Sequence, residues 1–323
     1  MVYINFYNMN LSKDFKEIKG DASFRKFYRN KKKKSIIVFA NKEKSKNLLI
    51  YDAINKILIK NKVIAPKLIS QNYQKNYIEI EDLGLKTIYQ LLISNEYKNY
   101  LIFKKIIKIL NKIQLIKNKK IKNFNDRIYK IKEYENKILL SEAKLFSSWY
   151  ASKNLSKKEY TVFKYKFNKE TKSLLLKLNF KNSTFVHRDF HVSNLIINSS
   201  KIGLIDSQDA LIGNKAYDLA SLIDDVRYKT SNAFKEKIYN YYLKTNQKIN
   251  VNKFKNDFDI LSVLRNLKII GIFTRLAERD NKKKYQKLIP YAWQMIDNRM
   301  CQNKVFDNYL LLLKSNFPKF LNK

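Results

Sequence analysis

The chain has 323 residues, 45% of them hydrophobic, and a formal net charge of +38. That apolar content is enough to bury a core, which excludes a disordered chain, and the single cysteine, Cys301, excludes an intramolecular disulfide framework. The charge points first to nucleic acid or an anionic surface, but lysine, asparagine, isoleucine, tyrosine and phenylalanine are abundant while glycine (5) and proline (3) are scarce, the pattern an AT-rich coding sequence produces without selection for binding.

The start, "MVYINFYNMNLSKDF", lacks the basic end and unbroken apolar core of a secretory signal. No apolar run approaches the ~18 residues that span a bilayer. A soluble cytoplasmic protein with no membrane partner is expected. Residues 15–41 read as three short strands, with turns at Gly20 and at the lysine run. Residues 44–62 carry Leu48, Leu49, Ala53, Ile54, Ile57 and Leu58 at helical spacing. Residues 65–84 read as two more strands turning at "NYQKN", and Gly84 marks a hinge. The pattern then becomes helical: two helices over 87–117, then two or three more over 126–179. "TFVHRDFHVSNLIIN" and "KIGLIDSQDA" read as a loop, a short strand and its hairpin partner, and helices follow to the end. Lysine clusters at 30–34 and 281–287 are local, and neither forms a base-stacking platform; no dedicated nucleic-acid partner is expected.

Chemistry concentrates in "VHRDFHVSNLI", residues 186–196. Asp189 follows His187 and Arg188, and Asn194 stands five positions later, the spacing of a kinase catalytic loop. Asp206 ends the apolar run "IGLID" twelve positions after Asn194. Phosphoryl transfer needs an aligned acceptor oxygen, Mg²⁺ on the phosphates and neutralised charge. Asp189 is the residue to orient an acceptor hydroxyl and take its proton; Asn194 and Asp206 are the metal ligands. The apolar residues before each acid place it at a rigid strand end. His187 reads as structural, and His191 as either a packing residue or a substrate contact. Only eleven residues separate Asp206 from Asp218, which leaves no room for the activation segment of a protein kinase. Asp218 reads as a brace for the catalytic loop, and a small-molecule acceptor is expected.

Five segments carry a resemblance: "GDASFRKFYR" (20–29), "IEIEDLG" (78–84), "HRDFHVSNL" (187–195), 204–225 and 264–285. Together they resemble the bacterial aminoglycoside-phosphotransferase-like family, and within it the anomeric sugar kinases that act on N-acetylmuramate and N-acetylglucosamine. The resemblance spans about residues 12–300. It implies an α+β, two-lobed, protein-kinase-like fold: a small β-sheet N-lobe with one helix over 1–83 and a larger, mainly helical C-lobe over 84–323. It implies transfer of phosphate from ATP, with Mg²⁺, to the anomeric hydroxyl of an amino sugar for cell-wall recycling, and a monomer is expected. Gly20 and Ser23 lie where backbone N–H groups and a hydroxyl approach phosphates. Arg25 and Arg29 share a strand face. Glu81 and Leu83, flanking Asp82, match the segment whose backbone holds adenine. Gln208 and Asp209 are candidates for sugar hydroxyls, and Ser207 replaces the more usual phenylalanine.

The third strand carries no lysine, so Lys42, Lys44 or Arg25 is left to meet the phosphates, and the helix offers only Asp52 as a partner. Two other readings stay open: a kinase for an amino alcohol or aminoglycoside, and a nucleotide-binding pseudokinase with a nucleic-acid partner.

Overall fold

The computed structural model describes residues 14–18, 25–40, 46–94, 99–198 and 201–321. Two compact units interleave along the chain. One comprises Met1–Ser94, Ile116–Ile131 and Ser193–Asp209; the other comprises Asn95–Leu115, Lys132–Val192 and Ala210–Lys323. The division expected at 83/84 follows chain order, whereas the first unit also takes two later segments.

The first unit is built on strands β1 (Phe15–Ile18), β2 (Lys26–Asn30), β3 (Ser35–Phe39), β4 (Leu68–Asn72) and β5 (Tyr77–Glu81), with helix α1 (Lys46–Lys60) between β3 and β4. They form one antiparallel sheet in the order β1-β2-β3-β5-β4. In "YIEIE" the period of two sends Ile78 and Ile80 into the core and leaves Tyr77, Glu79 and Glu81 half-buried. Those isoleucines, Val38 and Ala40 pack with Leu48 and Tyr51 of α1, and the burial of each of the two isoleucines, Val38 and Leu48 contributes about 1.5–3 kcal/mol. The lysine run turns because the Asn30 side chain accepts from the Lys32 and Lys33 N–H groups at 2.9 and 3.1 Å.

Helix α2 (Ile88–Ile93), capped by Thr87 and Gln90, completes the unit's first segment. After α3 (Asn99–Gln114) of the second unit come β6 (Lys120–Lys122) and β7 (Ile128–Lys130) of the first. This hairpin corrects the helical reading of residues after 126. The Asn123 side chain accepts from the Asn125 and Arg127 N–H groups at 3.0 and 3.3 Å, and Asp126 turns at φ 56°, so "KNFNDR" is a turn. Strand β8 (Thr184–Val186) belongs to the second unit, and β9 (Leu195–Asn198) and β10 (Lys201–Leu204) to the first. The expected hairpin is thus β9–β10; β10 also joins the loop after α1, where Leu204 N–H donates to the Ile64 carbonyl at 2.8 Å.

The second unit is helical apart from β8 and its antiparallel partner β11 (Leu211–Gly213). Helix α4 (Asn136–Leu145) runs into a π-helical turn, Phe146–Ala151, and a last turn α5 (Ser152–Asn154); α6 (Lys157–Leu176) starts at a capping box of Ser156 and Glu159. Helices α7 (Tyr217–Ile223), α8 (Asn232–Lys244), α9 (Val251–Glu278), α10 (Ile289–Met300), α11 (Asp307–Asn316) and α12 (Pro318–Leu321) follow. Among the described residues no helix is long and apolar enough to cross a membrane. Helix α9 is buried along most of its length and crosses the α4–π junction at Gly271. A Cβ there would run into the Leu145 carbonyl and lie 2.6 Å from the Phe146 nitrogen. Backbone cannot move aside as a side chain can, so Gly271→Ala is expected to destabilise the protein by about 3 kcal/mol, read as a lower urea midpoint at unchanged m-value.

Candidate active site

In the first unit the β9–β10 register pairs Leu195 with Leu204, which brings the two hairpin ends together. Ile205 N–H then donates to the Asn194 carbonyl at 3.1 Å, so the backbone at Asn194 is bonded to the residue that leads into Asp206. Asp206 adopts φ 60°, a left-handed conformation that costs a non-glycine residue about 1–3 kcal/mol and collects at functional sites. Its Oδ1 accepts from the Arg25 guanidinium at 2.9 Å and from the Gln208 amide at 3.2 Å. Ser207 is buried, and its hydroxyl donates to Asn55 Oδ1 at 2.6 Å, while Asn55 Nδ2 donates to the Pro66 carbonyl at 3.1 Å. The serine in place of a phenylalanine thus ties the turn after Asp206 to α1.

Among the described residues no group of three or more His, Cys, Asp or Glu is placed to hold a metal ion. A carboxylate and an amide oxygen are the hard-oxygen donor types that a small divalent ion accepts when phosphate oxygens and water complete its shell. Asp206 and Asn194 are residues of those types.

The expected adenine-holding segment follows β5. Glu81 N–H donates to the Lys67 carbonyl at 2.8 Å and Asp82 N–H to the Lys34 carbonyl at 3.0 Å. Asp82 accepts from Arg29 at 2.5 and 3.2 Å and from Gly84 N–H at 3.0 Å, while Arg29 also donates to the Gly84 carbonyl at 2.9 Å. Gly84 turns at φ 138°, which glycine adopts without strain. Arg29 is therefore a brace for this segment and does not share a role with Arg25.

In the second unit β8 ends at Val186, and the next two N–H groups, of His187 and Arg188, donate to the Asp218 carboxylate at 2.6 and 3.0 Å. This is the brace expected from the sequence, and it holds Arg188 at φ 75°. Burial pushes the Asp218 carboxyl up to about 7, against the pull of the two N–H donors. The Arg188 guanidinium pairs with Glu142 of α4 and lies 5.1 Å from the Tyr134 ring centroid. Lys268 of α9 pairs with the same Glu142 at 3.1 Å.

Around Asp189 burial alone would raise the carboxyl, but Lys268, Arg265 and Arg227 hold it well below the usual carboxylate range. His191 is pushed down to about 4 by burial and by Arg227, so at neutral pH the imidazole is uncharged and the three permanent cations carry the effect. The His191 backbone N–H donates to the Asp189 carbonyl at 3.0 Å. His187 is fully buried, with its ring 6.3 Å from that of Phe190, as a structural histidine should be. Asp218→Ala would leave two buried N–H groups without their acceptor, so it is expected to destabilise the protein by about 2–5 kcal/mol, measured by thermal unfolding.

Gly20 and Ser23 lie outside the described residues, as do Lys42 and Lys44. Gln208 is buried, with its amide committed to Asp206 and, at 2.9 Å, to Asp209, while Asp209 is exposed. Gln208 thus positions Asp206. The sequence reading missed Lys268, Arg265, Arg227 and Glu142, and Asn47 and Asn55 on α1. An arginine and a lysine three apart in the otherwise apolar "VLRNLKIIGIF" were the available signal.

Residues 14–250 match the family described as the phosphotransferase enzyme family. The N-acetylmuramate/N-acetylglucosamine kinase of Neisseria meningitidis serogroup B is 32% identical over 164 residues, 49% of this chain and 49% of that protein. The protein of the same name from Pseudomonas putida is 25% identical over 285 residues, 86% of this chain and 81% of that one. The chain therefore spans about half the length of the first relative and about four-fifths of the second. A choline/ethanolamine kinase family protein from Mesorhizobium loti superposes with a TM-score of 0.63 at 10% identity, over 95% of this chain and 94% of that one. The likeness shows a kinase-like α+β fold, with an N-terminal antiparallel sheet and a larger helical part.

Proposed function

The chain belongs to the phosphotransferase enzyme family, and from that premise we propose that it transfers the γ-phosphoryl group of ATP, with Mg²⁺, to the anomeric hydroxyl of N-acetylmuramate or N-acetylglucosamine. The product is a sugar 1-phosphate that enters cell-wall recycling. The observation that carries the reading is the β9–β10 hairpin, whose register and Ile205–Asn194 backbone bond join the end of the catalytic loop to the residue before Asp206. The sugar assignment is supported by relatives that carry that name over as much as 88% of the chain.

Asp206 and Asn194 hold the divalent ion, which supplies charge neutralisation on the phosphates. The adenine is held by backbone after β5. There the Glu81 and Asp82 N–H groups are already bonded to carbonyls, so Leu83 N–H is the donor offered to the base. Gly20 and Ser23, outside the described residues, keep the phosphate role expected from the sequence. Asp189 orients the acceptor hydroxyl and takes its proton late, since a loose transition state does not require early deprotonation. His191, neutral at pH 7, offers an imidazole nitrogen or N–H to the sugar, and exposed Asp209 accepts from a sugar hydroxyl. Lys268, Arg265 and Arg227 around Asp189 disfavour a polycationic aminoglycoside by like-charge repulsion. The enzyme works as a cytoplasmic monomer on small molecules, and its positive charge is incidental.

The test is ATP consumption over a panel of amino sugars, amino alcohols and aminoglycosides, with phosphorus and proton NMR of the product. A 1-phosphate of N-acetylmuramate or N-acetylglucosamine is expected. A product phosphorylated only on the 6-hydroxyl would overturn the anomeric assignment, and turnover with none of the amino sugars would overturn the substrate class.

A further inference from the structure

We propose that Arg25 is an exchangeable counter-ion of Asp206. While no nucleotide is bound it neutralises the carboxylate; when a nucleotide binds, its guanidinium turns to the phosphates and releases Asp206 to the divalent ion. The proposal rests on the kinase reading above and adds a control step to the same site.

Four observations carry it. First, Arg25 Nη2 lies 2.9 Å from Asp206 Oδ1, so the guanidinium neutralises the carboxylate that a metal ion would use. A divalent ion on the same carboxylate would face that positive charge at close range, a repulsion that favours one of the two moving away. Second, the Arg25 side chain is only 5% exposed, held by Asn47 Oδ1 at 3.2 Å and by the rings of Phe27 and Tyr51, each 5.8 Å from its central carbon. Those three are neutral partners, and the Asp206 carboxylate that Arg25 meets is the one the metal needs. Third, β3 has no lysine, and the acid of α1, Asp52, is paired with Lys56 at 2.8 Å. The lysine–glutamate pair that serves other kinases is not built from those elements here. Fourth, a planar guanidinium matches two phosphate oxygens as well as it matches a carboxylate, so an arriving polyphosphate offers Arg25 a full replacement for what it leaves.

The experiment uses the full chain and two binding measurements, Mn²⁺ titration of the nucleotide-free protein by electron paramagnetic resonance and calorimetric titration with ADP and Mg²⁺. Arg25→Gln removes the charge but keeps a partner for Asn47. The expected result is a pair of opposite shifts: nucleotide-free Mn²⁺ affinity rises about tenfold, and nucleotide affinity falls about tenfold, each the size of one charge-assisted contact. A variant that was merely loosened would lose both affinities. If Arg25→Gln does not fold, Arg25→Lys keeps the charge without the planar fork, and the same two shifts are expected at about a third of the size. Mn²⁺ affinity that stays level or falls, or nucleotide affinity that does not change, overturns the proposal. Wild-type protein that turns over an amino sugar while the Arg25 variants move neither affinity sinks this inference alone. Wild-type protein that binds no nucleotide removes the kinase reading and this inference with it.

Discussion

Asp206→Ala is expected to lower Mg²⁺-dependent ATP turnover by roughly 10³-fold or more, because it removes the only charged ligand of the proposed metal pair. The fold should survive. The Asp206 side chain is 39% exposed, and Arg25 keeps Asn47 and two ring faces when its carboxylate partner is lost. Near-ultraviolet circular dichroism should match the wild type. Asp206→Asn separates charge from shape: it keeps an oxygen for the Gln208 amide but binds the ion weakly, so its turnover should lie far below wild type too. Turnover at the wild-type rate, with the wild-type dependence on Mg²⁺ concentration, would take Asp206 out of the metal site.

The second large effect is expected at Asp189. Asp189→Asn keeps the side chain's shape and loses its charge, and kcat should fall by roughly 10²–10⁴-fold, the usual size of a general-base contribution. Nucleotide affinity should change little, since the ligands proposed for it are Asn194, Asp206 and the segment after β5. The pH dependence gives a sharper check. Burial opposes the charge on Asp189, but Lys268, Arg265 and Arg227 hold its carboxyl well below the usual range. The base is therefore ionised throughout the working range. Its contribution to stability is present above the unfolded value of about 4 and is lost only as pH falls through the lower folded value. An acid limb of kcat near neutrality must then come from another group. Asp218, pushed up to about 7, is that group; once protonated it no longer accepts from both loop N–H groups. The Asp189→Asn profile should thus be scaled down at every pH while keeping an acid limb, moved to somewhat lower pH because the Asp189 charge that helps raise the Asp218 carboxyl is gone. A variant that retains near-wild-type kcat would remove Asp189 from the mechanism, and a variant whose limb disappears would reassign the limb to Asp189.

The sequence was legible where one local rule decides the outcome. Alternation in "SIIVF" and "YIEIE" locates β3 and β5, and helical spacing in "NLLIYDAINKIL" locates α1, because each pattern sets which side chains reach the core. Asp189, Asn194, Asp206 and Asp218 were legible because phosphoryl transfer fixes their spacing along a few strands and turns. Residues that arrive from elsewhere in the chain were not. Glu142 and Lys268 meet Arg188 and Asp189 only through packing of α4 and α9, and no local spacing encodes that. The β6–β7 hairpin was hidden because "IYKIKEYENKILL" alternates briefly before its helix begins, so a window averaged across both reads as helix. Arg25 was legible as a phosphate candidate, but its attachment to Asp206 spans 181 positions.

The interleaving of the first unit has a consequence for the order in which the protein can mature. Its sheet is complete by residue 81, yet β9 and β10, which bond to the loop after α1 and to the segment before α2, are encoded beyond residue 194. A chain leaving the ribosome from its N-terminus therefore exposes this sheet in an unfinished unit while two segments of the other unit, 95–115 and 132–192, are still emerging. Long sequence separation of this kind slows folding, because the loop must close before the contacts reward it. Nascent chains arrested shortly after residue 130 should be readily cut by protease within the first strands, and protection of that sheet should arise only when arrest is moved past residue 209 by the length of the exit tunnel.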